Sequence, residues 1–123
     1  KKGALQALTN ALYEAGINIW GSVTNDGAEY GINRMVVSDP DKAKEVLTEK
    51  GYLCRFVDVL AVEIEDKPGA LNTLLTALLD SNVNVDYTYL SFNRDSSTPV
   101  MIMHTADPEE VELCLKAKGF KMC

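Results

Sequence analysis

The sequence contains the same series of short segments twice, in the same order. Residues 2–8 return 66 positions later as residues 68–74, and residues 17–19 return at the same offset as residues 83–85. At an offset of 68, Asp39-Pro40 matches Asp107-Pro108. Self-similarity of this kind is typical of a duplicated supersecondary unit. We therefore predict two modules, residues 1–58 and 59–123, and expect the function to suit a pair of similar modules.

Composition and charge exclude several classes of protein. The chain has 123 residues, 46% apolar and 24% charged, which is typical of a soluble globular protein. The net charge is −6, and residues 59–123 carry 5 basic against 10 acidic side chains. Nucleic-acid binding needs a basic face, and so does binding to an anionic membrane surface. We therefore expect neither nucleic acid nor membrane as a partner.

The three cysteines, Cys54, Cys114 and Cys123, are far apart and odd in number. This spacing is typical of reduced thiols in the cytoplasm, where we expect the protein to act. It does not match a zinc site or a disulfide framework. We expect no metal and no cofactor.

The second half predicts the element order βαββαβ. Residues 59–65 and 84–92 are strand-like. After a polar hairpin loop at 93–97, residues 100–104 form the next strand, and residues 120–123 begin a short last strand. Leucines at positions 71, 74, 75, 78 and 79 form the apolar stripe of a first helix. Asp107-Pro108, with two glutamates after it, predicts the start of a second helix, which Gly119 ends.

The first half repeats this order from its first helix onward. We predict helices at 5–15 and 39–50, strands at 17–24, 29–38 and 53–58, and a hairpin turn at Asn25-Asp26-Gly27. The counterpart of the strand at 59–65 is missing, so we expect the sequence to be a piece of a longer protein; a strand from a partner is the alternative. The predicted fold class is α+β: two tandem ferredoxin-like βαββαβ modules, with antiparallel sheets and helices on one face.

No residue pattern indicates an enzyme. The single histidine, His104, lies in an apolar strand without a nameable catalytic partner, and no phosphate loop, serine elbow or His-Glu-x-x-His motif is present. An acyl-phosphate hydrolase of this topology needs an arginine in the strand–helix turn, and neither turn has one. An RNA-recognition module would need a basic sheet, which the acidic second half opposes.

The best candidate site is the turn between the first strand and first helix of the second half. It comprises Asp66, Lys67, Pro68, Gly69, Ala70 and Leu71. A helix N-terminus can hold a carboxylate, Gly69 permits close backbone approach, and Asp66 can face an ammonium group. Together these match the two charges of an α-amino acid. The alternative is that Pro68-Gly69 only turns the chain and Asp66 is solvated.

Asn18 and Asn84 occupy matching positions after the two first helices. Each amide either makes local turn bonds, where asparagine tolerates left-handed backbone, or faces a polar ligand. Both interpretations stay open at this point.

Residues 62–71, followed by Leu74, Leu78 and Val83-Asn84-Val85, resemble the ACT domain. The resemblance covers nearly the whole chain as two tandem copies. It implies βαββαβ regulatory modules that bind amino acids at an interface between paired modules, through the strand–helix turn and the region of Asn84. In the first copy Gly3, Ala4, Leu5 and Asn18 match, but Lys2 stands where the family usually has proline.

The resemblance therefore implies a regulatory protein, not an enzyme, that senses a free amino acid. The implied partners are a homodimer mate, joined through sheets or helices, and a regulated enzyme or regulator that the sequence does not name. The alternative is an assembly or interaction scaffold of the same fold that binds no ligand.

Overall fold

A computed structural model describes residues 3–26 and 31–123, without the side chain of Asp26. The chain divides into two compact units, Lys1–Val57 and Asp58–Cys123, and each is described by itself. In the described residues, no helix has both the length and the apolar character needed to cross a lipid bilayer.

Unit 2 has the complete predicted order, βαββαβ. Its elements are β3 (Leu60–Glu63), α3 (Ala70–Asp80), β4 (Tyr87–Phe92), β5 (Pro99–His104), α4 (Pro108–Ala117) and β6 (Lys121–Met122). The sheet order is β4-β5-β3-β6, and every neighbouring pair is antiparallel. With β3 and β5 in the centre, this is the ferredoxin-like sheet, and the predicted α+β fold class is confirmed.

Both helices of unit 2 pack on the same face of this sheet. The core joins Leu74 and Leu78 of α3 and Val111 and Leu115 of α4 to alternate residues of the central strands. The strand members of this core are Leu60, Val62, Met101 and Met103. Because side chains alternate between the faces of a strand, these four residues share one face, and the helices cover it.

Unit 1 contains the central part of the same order. Its elements are α1 (Ala4–Glu14), β1 (Ile19–Asp26), β2 (Gly31–Val37) and α2 (Pro40–Glu49), and β1 pairs with β2 in an antiparallel hairpin. The predicted turn at Asn25-Asp26-Gly27 is wrong for its first two residues, because Asn25 and Asp26 still belong to β1. Gly27, like Glu29 at the predicted start of the next strand, lies outside the described residues.

The predicted strand at residues 53–58 does not form, and this prediction is wrong. These residues adopt no regular secondary structure, and Leu53, Phe56 and Val57 are exposed. In unit 2 the last strand, β6, pairs with the first strand, β3. The described part of unit 1 has no strand before α1. A β-prone segment without a neighbour has no ladder to join, so its propensity alone does not make it a strand.

The predicted leucine stripe of α3 forms a helix but is only half buried. Leu74 and Leu78 are in the core, whereas Leu71, Leu75 and Leu79 are exposed by 40%, 42% and 77%. The two groups lie on adjacent faces of the helix, about 80° apart. The stripe therefore covers the core and also an apolar flank at the protein surface.

Candidate functional site

The Gly69 turn, Asp66–Leu71, leads from β3 into α3 with a left-handed backbone. Gly69 has φ 88° and ψ −9° and precedes the first helical residue. Its carbonyl oxygen accepts hydrogen bonds from the backbone N–H of Thr73 and the Thr73 hydroxyl, both at 2.9 Å. A residue with a Cβ is strained in this conformation, which explains why glycine occupies the position.

Helix α3 begins without a side-chain cap. Gly69 offers none, and the first turn of the helix contains no acidic residue. Within the described residues, no acceptor bonds the backbone N–H groups of Leu71 and Asn72. These two donors, together with the positive end of the helix dipole, are suited to an external anion.

Helices α2 and α4, unlike α3, each begin with an aspartate side chain as the cap. Asp39 accepts a hydrogen bond from the Lys42 N–H at 3.2 Å, and Asp107 accepts one from the Glu110 N–H at 3.3 Å. A carboxylate of the chain therefore already occupies the start of each of these helices. Of the two helices in unit 2, only α3 leaves its first turn open.

The charged side chains of the Gly69 turn are exposed and differ in their contacts. Lys67 is paired with Glu65, with 3.1 Å between its Nζ and the carboxylate Oε2. Asp66 is exposed and has neither an ion pair nor a hydrogen bond to any other described residue. The turn therefore presents two backbone donors and one unpaired carboxylate.

Unit 1 repeats the backbone of this turn. Gly3 has φ 82° and ψ 0° and precedes α1, which also starts without a side-chain cap. Its carbonyl oxygen accepts the Ala7 N–H at 3.0 Å. Ala4 and Leu5 are exposed, and Lys2 lies outside the described residues.

In the described structure, the side-chain amides of Asn18 and Asn84 make no hydrogen bonds that stabilise their turns. Asn18 is tied to Ser38 through its backbone: its N–H donates to the Ser38 hydroxyl at 2.9 Å, and its carbonyl accepts the Ser38 N–H at 2.9 Å. Asn82, not Asn84, adopts the left-handed backbone in unit 2, with φ 58°. Both Asn18 and Asn84 are exposed, and in the described structure neither side chain has a hydrogen-bond partner.

Within unit 2, the Gly69 turn and Asn84 lie at opposite ends of α3. The turn follows β3 at the end of the sheet where the Ile64 N–H bonds the Pro99 carbonyl. Asn84 precedes β4 at the other end, where the Asp86 N–H bonds the His104 carbonyl. With 11 residues, α3 is about 16 Å long. The same helix length separates Gly3–Leu5 from Asn18 in unit 1. Neither unit brings its two groups of predicted site residues into one pocket.

A polar cluster that the sequence analysis missed lies at the Asn84 end of the sheet. The Nδ1 of His104 is 2.7 Å from the Oδ2 of Asp86, and the Tyr87 ring stacks on the imidazole with 5.1 Å between centroids. The hairpin register could have predicted this cluster, because a hairpin that closes with Phe92 opposite Pro99 places Tyr87 opposite His104. The distance between Nδ1 and Oδ2 is that of a hydrogen bond between the imidazole and the carboxylate. Across the described residues, no group of three or more His, Cys, Asp and Glu side chains could hold a metal ion.

Comparison with known proteins agrees with this architecture. The family profile described as an ACT domain pair matches residues 1–120. The chain belongs to the ACT domain pair family. A crystal structure of protein BT0572 from Bacteroides thetaiotaomicron is similar to this ACT domain pair, with a TM-score of 0.89 and 28% sequence identity. The alignment covers 100% of this chain and 84% of that one. A search of curated proteins finds no significant match.

Membership confirms the resemblance drawn from residues 62–71 and the tandem organisation of the repeat. ACT domains are regulatory modules rather than catalytic ones. This places the chain in a regulatory family.

Proposed function

We propose that this ACT domain pair is a regulatory protein that binds a free α-amino acid at the Gly69 turn. The observation that carries the proposal is the open N-terminus of α3, where the N–H groups of Leu71 and Asn72 have no acceptor among the described residues. The ligand's carboxylate accepts hydrogen bonds from these groups, where the helix dipole also favours a negative charge.

Asp66 supplies the second half of the recognition. Its carboxylate is exposed and unpaired, while the neighbouring Lys67 is engaged by Glu65. Asp66 binds an ammonium group, and the helix N-terminus binds a carboxylate. The site therefore selects for a molecule that carries both charges a short distance apart. This describes an α-amino acid better than a simple anion or an amine.

The amide of Asn84 completes the site from a second module. Because α3 separates Asn84 from the Gly69 turn of its own unit by about 16 Å, a small ligand that touches both needs them from different modules. Regulation then follows from linkage: a ligand shared by two modules stabilises the paired state that binds it.

A thermal-shift screen of the twenty amino acids tests the proposal. An amino acid at 100 times its dissociation constant adds about 2.7 kcal/mol to the free energy of unfolding, which raises the melting temperature. Asp66→Asn should raise the dissociation constant of the amino acid at least tenfold, since it removes the charge that meets the ammonium group. Asp58→Asn makes the same chemical change at another exposed aspartate and should leave the response intact.

The alternative is an assembly scaffold that binds no amino acid, and the exposed leucines of α3 favour it. A flat response to all twenty amino acids, in a sample that still forms a defined oligomer, would support the scaffold and refute the sensor. A response that Asp66→Asn leaves unchanged would refute the proposed binding geometry.

A further inference from the structure

The chain bends at Asp86, where the loop after α3 enters β4. Val85 packs against the core of unit 2, on the side of the sheet that the helices cover. Tyr87, two residues later, is paired with His104 and shares its face of the sheet. Because His104 follows Met103, a core residue, that face is the opposite one. Side chains two residues apart in a regular strand share a face, so the bend at Asp86 separates the loop from the strand.

His104 holds this bend by two hydrogen bonds. Its backbone carbonyl accepts the Asp86 N–H at 2.9 Å, and its Nδ1 lies 2.7 Å from the Oδ2 of the Asp86 side chain. A carboxylate only accepts hydrogen bonds, so Nδ1 carries the hydrogen and donates it. One residue of β5 therefore fixes both the backbone and the side chain of the residue at the bend.

The Tyr87 ring fixes the orientation of the imidazole. The two rings are stacked, with 5.1 Å between their centroids and 7° between their planes, and the Tyr89 ring stacks on Tyr87 in turn, at 6.3 Å. Tyr89 is buried, and the side chain of His104 is exposed by 30%. The stack restricts the rotamers of His104, so that its hydrogen bond to Asp86 costs little further conformational entropy.

Asn84 lies between this bend and the end of α3. On one side of it, the Val83 N–H bonds the Leu78 carbonyl at 2.9 Å. On the other side, Asp86 is bound to His104. Between these two anchors, the backbone of Asn84 makes no hydrogen bond to any other described residue. The two anchors therefore determine the direction in which the Asn84 side chain leaves the backbone.

We propose that His104 is a positioning residue for amino-acid binding, which holds Asp86 and thereby orients the Asn84 amide toward the ligand without touching the ligand itself. This role rests on the proposed amino-acid site, in which the Asn84 amide meets the ligand. The clamp fixes the bend before the ligand arrives, and preorganisation of this kind increases affinity. Without the clamp, residues 84–86 must become ordered on binding, and the entropy that this costs lowers the affinity.

Titration calorimetry on the full chain tests the clamp, with the amino acid that gives the largest shift in the thermal screen as the probe. His104→Ala should raise its dissociation constant about tenfold, because the Asn84 amide no longer makes an oriented hydrogen bond. His104→Asn should restore most of the affinity, since its amide N–H takes the place of Nδ1 and can donate to Asp86. Asp95→Ala, at an exposed position of the loop between β4 and β5, is the control and should bind as the unchanged chain does. Binding by His104→Asn as weak as that of His104→Ala would overturn the proposal.

A double-mutant cycle separates positioning from a general loss of stability. In an Asn84→Ala background, His104→Ala should have no further effect on the dissociation constant, because the amide that it positions is absent. A tenfold loss in both backgrounds would show that His104 acts on the fold of unit 2 as a whole, and the positioning role would be refuted.

A measurement without ligand distinguishes this proposal from the proposed amino-acid site. In a nitrogen–proton correlation spectrum of the free protein, the Asn84 side-chain amide is identified by the signals that disappear in Asn84→Ala. These signals should move in His104→Ala and in Asp86→Ala, and should return toward their original positions in His104→Asn. Signals that stay in place in His104→Ala would overturn the positioning role even if an amino acid binds. A failed amino-acid screen refutes the proposed site and with it the role of His104 in binding, whereas moved signals would still show that His104 orients Asn84.

Discussion

Gly69→Ala isolates the energetic role of the left-handed turn. Gly69 has φ 88°, and a Cβ built on it meets nothing within 4 Å. The cost of the substitution is therefore conformational, with no steric clash with a neighbour. A residue with a Cβ in left-handed backbone loses about 1–2 kcal/mol, and the reduced freedom of the unfolded chain offsets only part of this loss. We expect Gly69→Ala to lower the free energy of unfolding by about 1 kcal/mol or slightly more.

Urea denaturation followed by circular dichroism measures this effect, with an unchanged slope as the sign that only stability has changed. For a module of this size, a loss of 1 kcal/mol lowers the melting temperature by about 4–8 °C. Gly69→Asn should cost less than Gly69→Ala, because asparagine tolerates left-handed backbone. Gly3→Ala is the matched substitution in unit 1, and the fluorescence of Trp20, the only tryptophan, follows that unit. If alanine and asparagine at position 69 cost the same, or neither costs anything measurable, the left-handed backbone is not the reason for glycine.

Two further substitutions test the packing and capping of unit 2 by the same denaturation assay. Leu74→Ala should lower the free energy of unfolding by about 2–5 kcal/mol, because Leu74 is fully buried. Leu79→Ala, at a mostly exposed position of the same helix, should lower it by less than about 0.5 kcal/mol. Comparable losses in the two variants would contradict the assignment of α3 faces. Asp107→Ala should cost about 1 kcal/mol by removing the acceptor for the Glu110 N–H, and Asp107→Asn should restore most of it; an asparagine variant as unstable as alanine would show that the cap acts through charge.

The elements that the sequence predicted well have local causes. Asp107 and Pro108 begin α4 because the carboxylate and the fixed proline φ act within one helical turn. Gly69 adopts the left-handed backbone before α3 because glycine lacks a Cβ, and this requires no contact with a distant residue. Such signals are complete within a few residues, and the βαββαβ order of unit 2 follows from them.

The predictions that failed depend on distant neighbours. Residues 53–58 are rich in strand-forming types, but a strand needs a partner, and the described part of unit 1 offers none where β3 stands in unit 2. In α3, periodicity identified five leucines as apolar but could not say which of them face the core. Burial separates Leu74 and Leu78 from the exposed three, and that separation depends on how the helix is rotated over the sheet.

The candidate site shows a limit of reasoning from one module. The repeat paired Gly69 with Gly3 and Asn84 with Asn18, and the structure preserves the backbone of both glycine turns. However, α1 and α3 each have 11 residues, so every module holds its turn and its asparagine about 16 Å apart. The turn of one module can meet the asparagine of another when the two modules run in opposite directions along the helix.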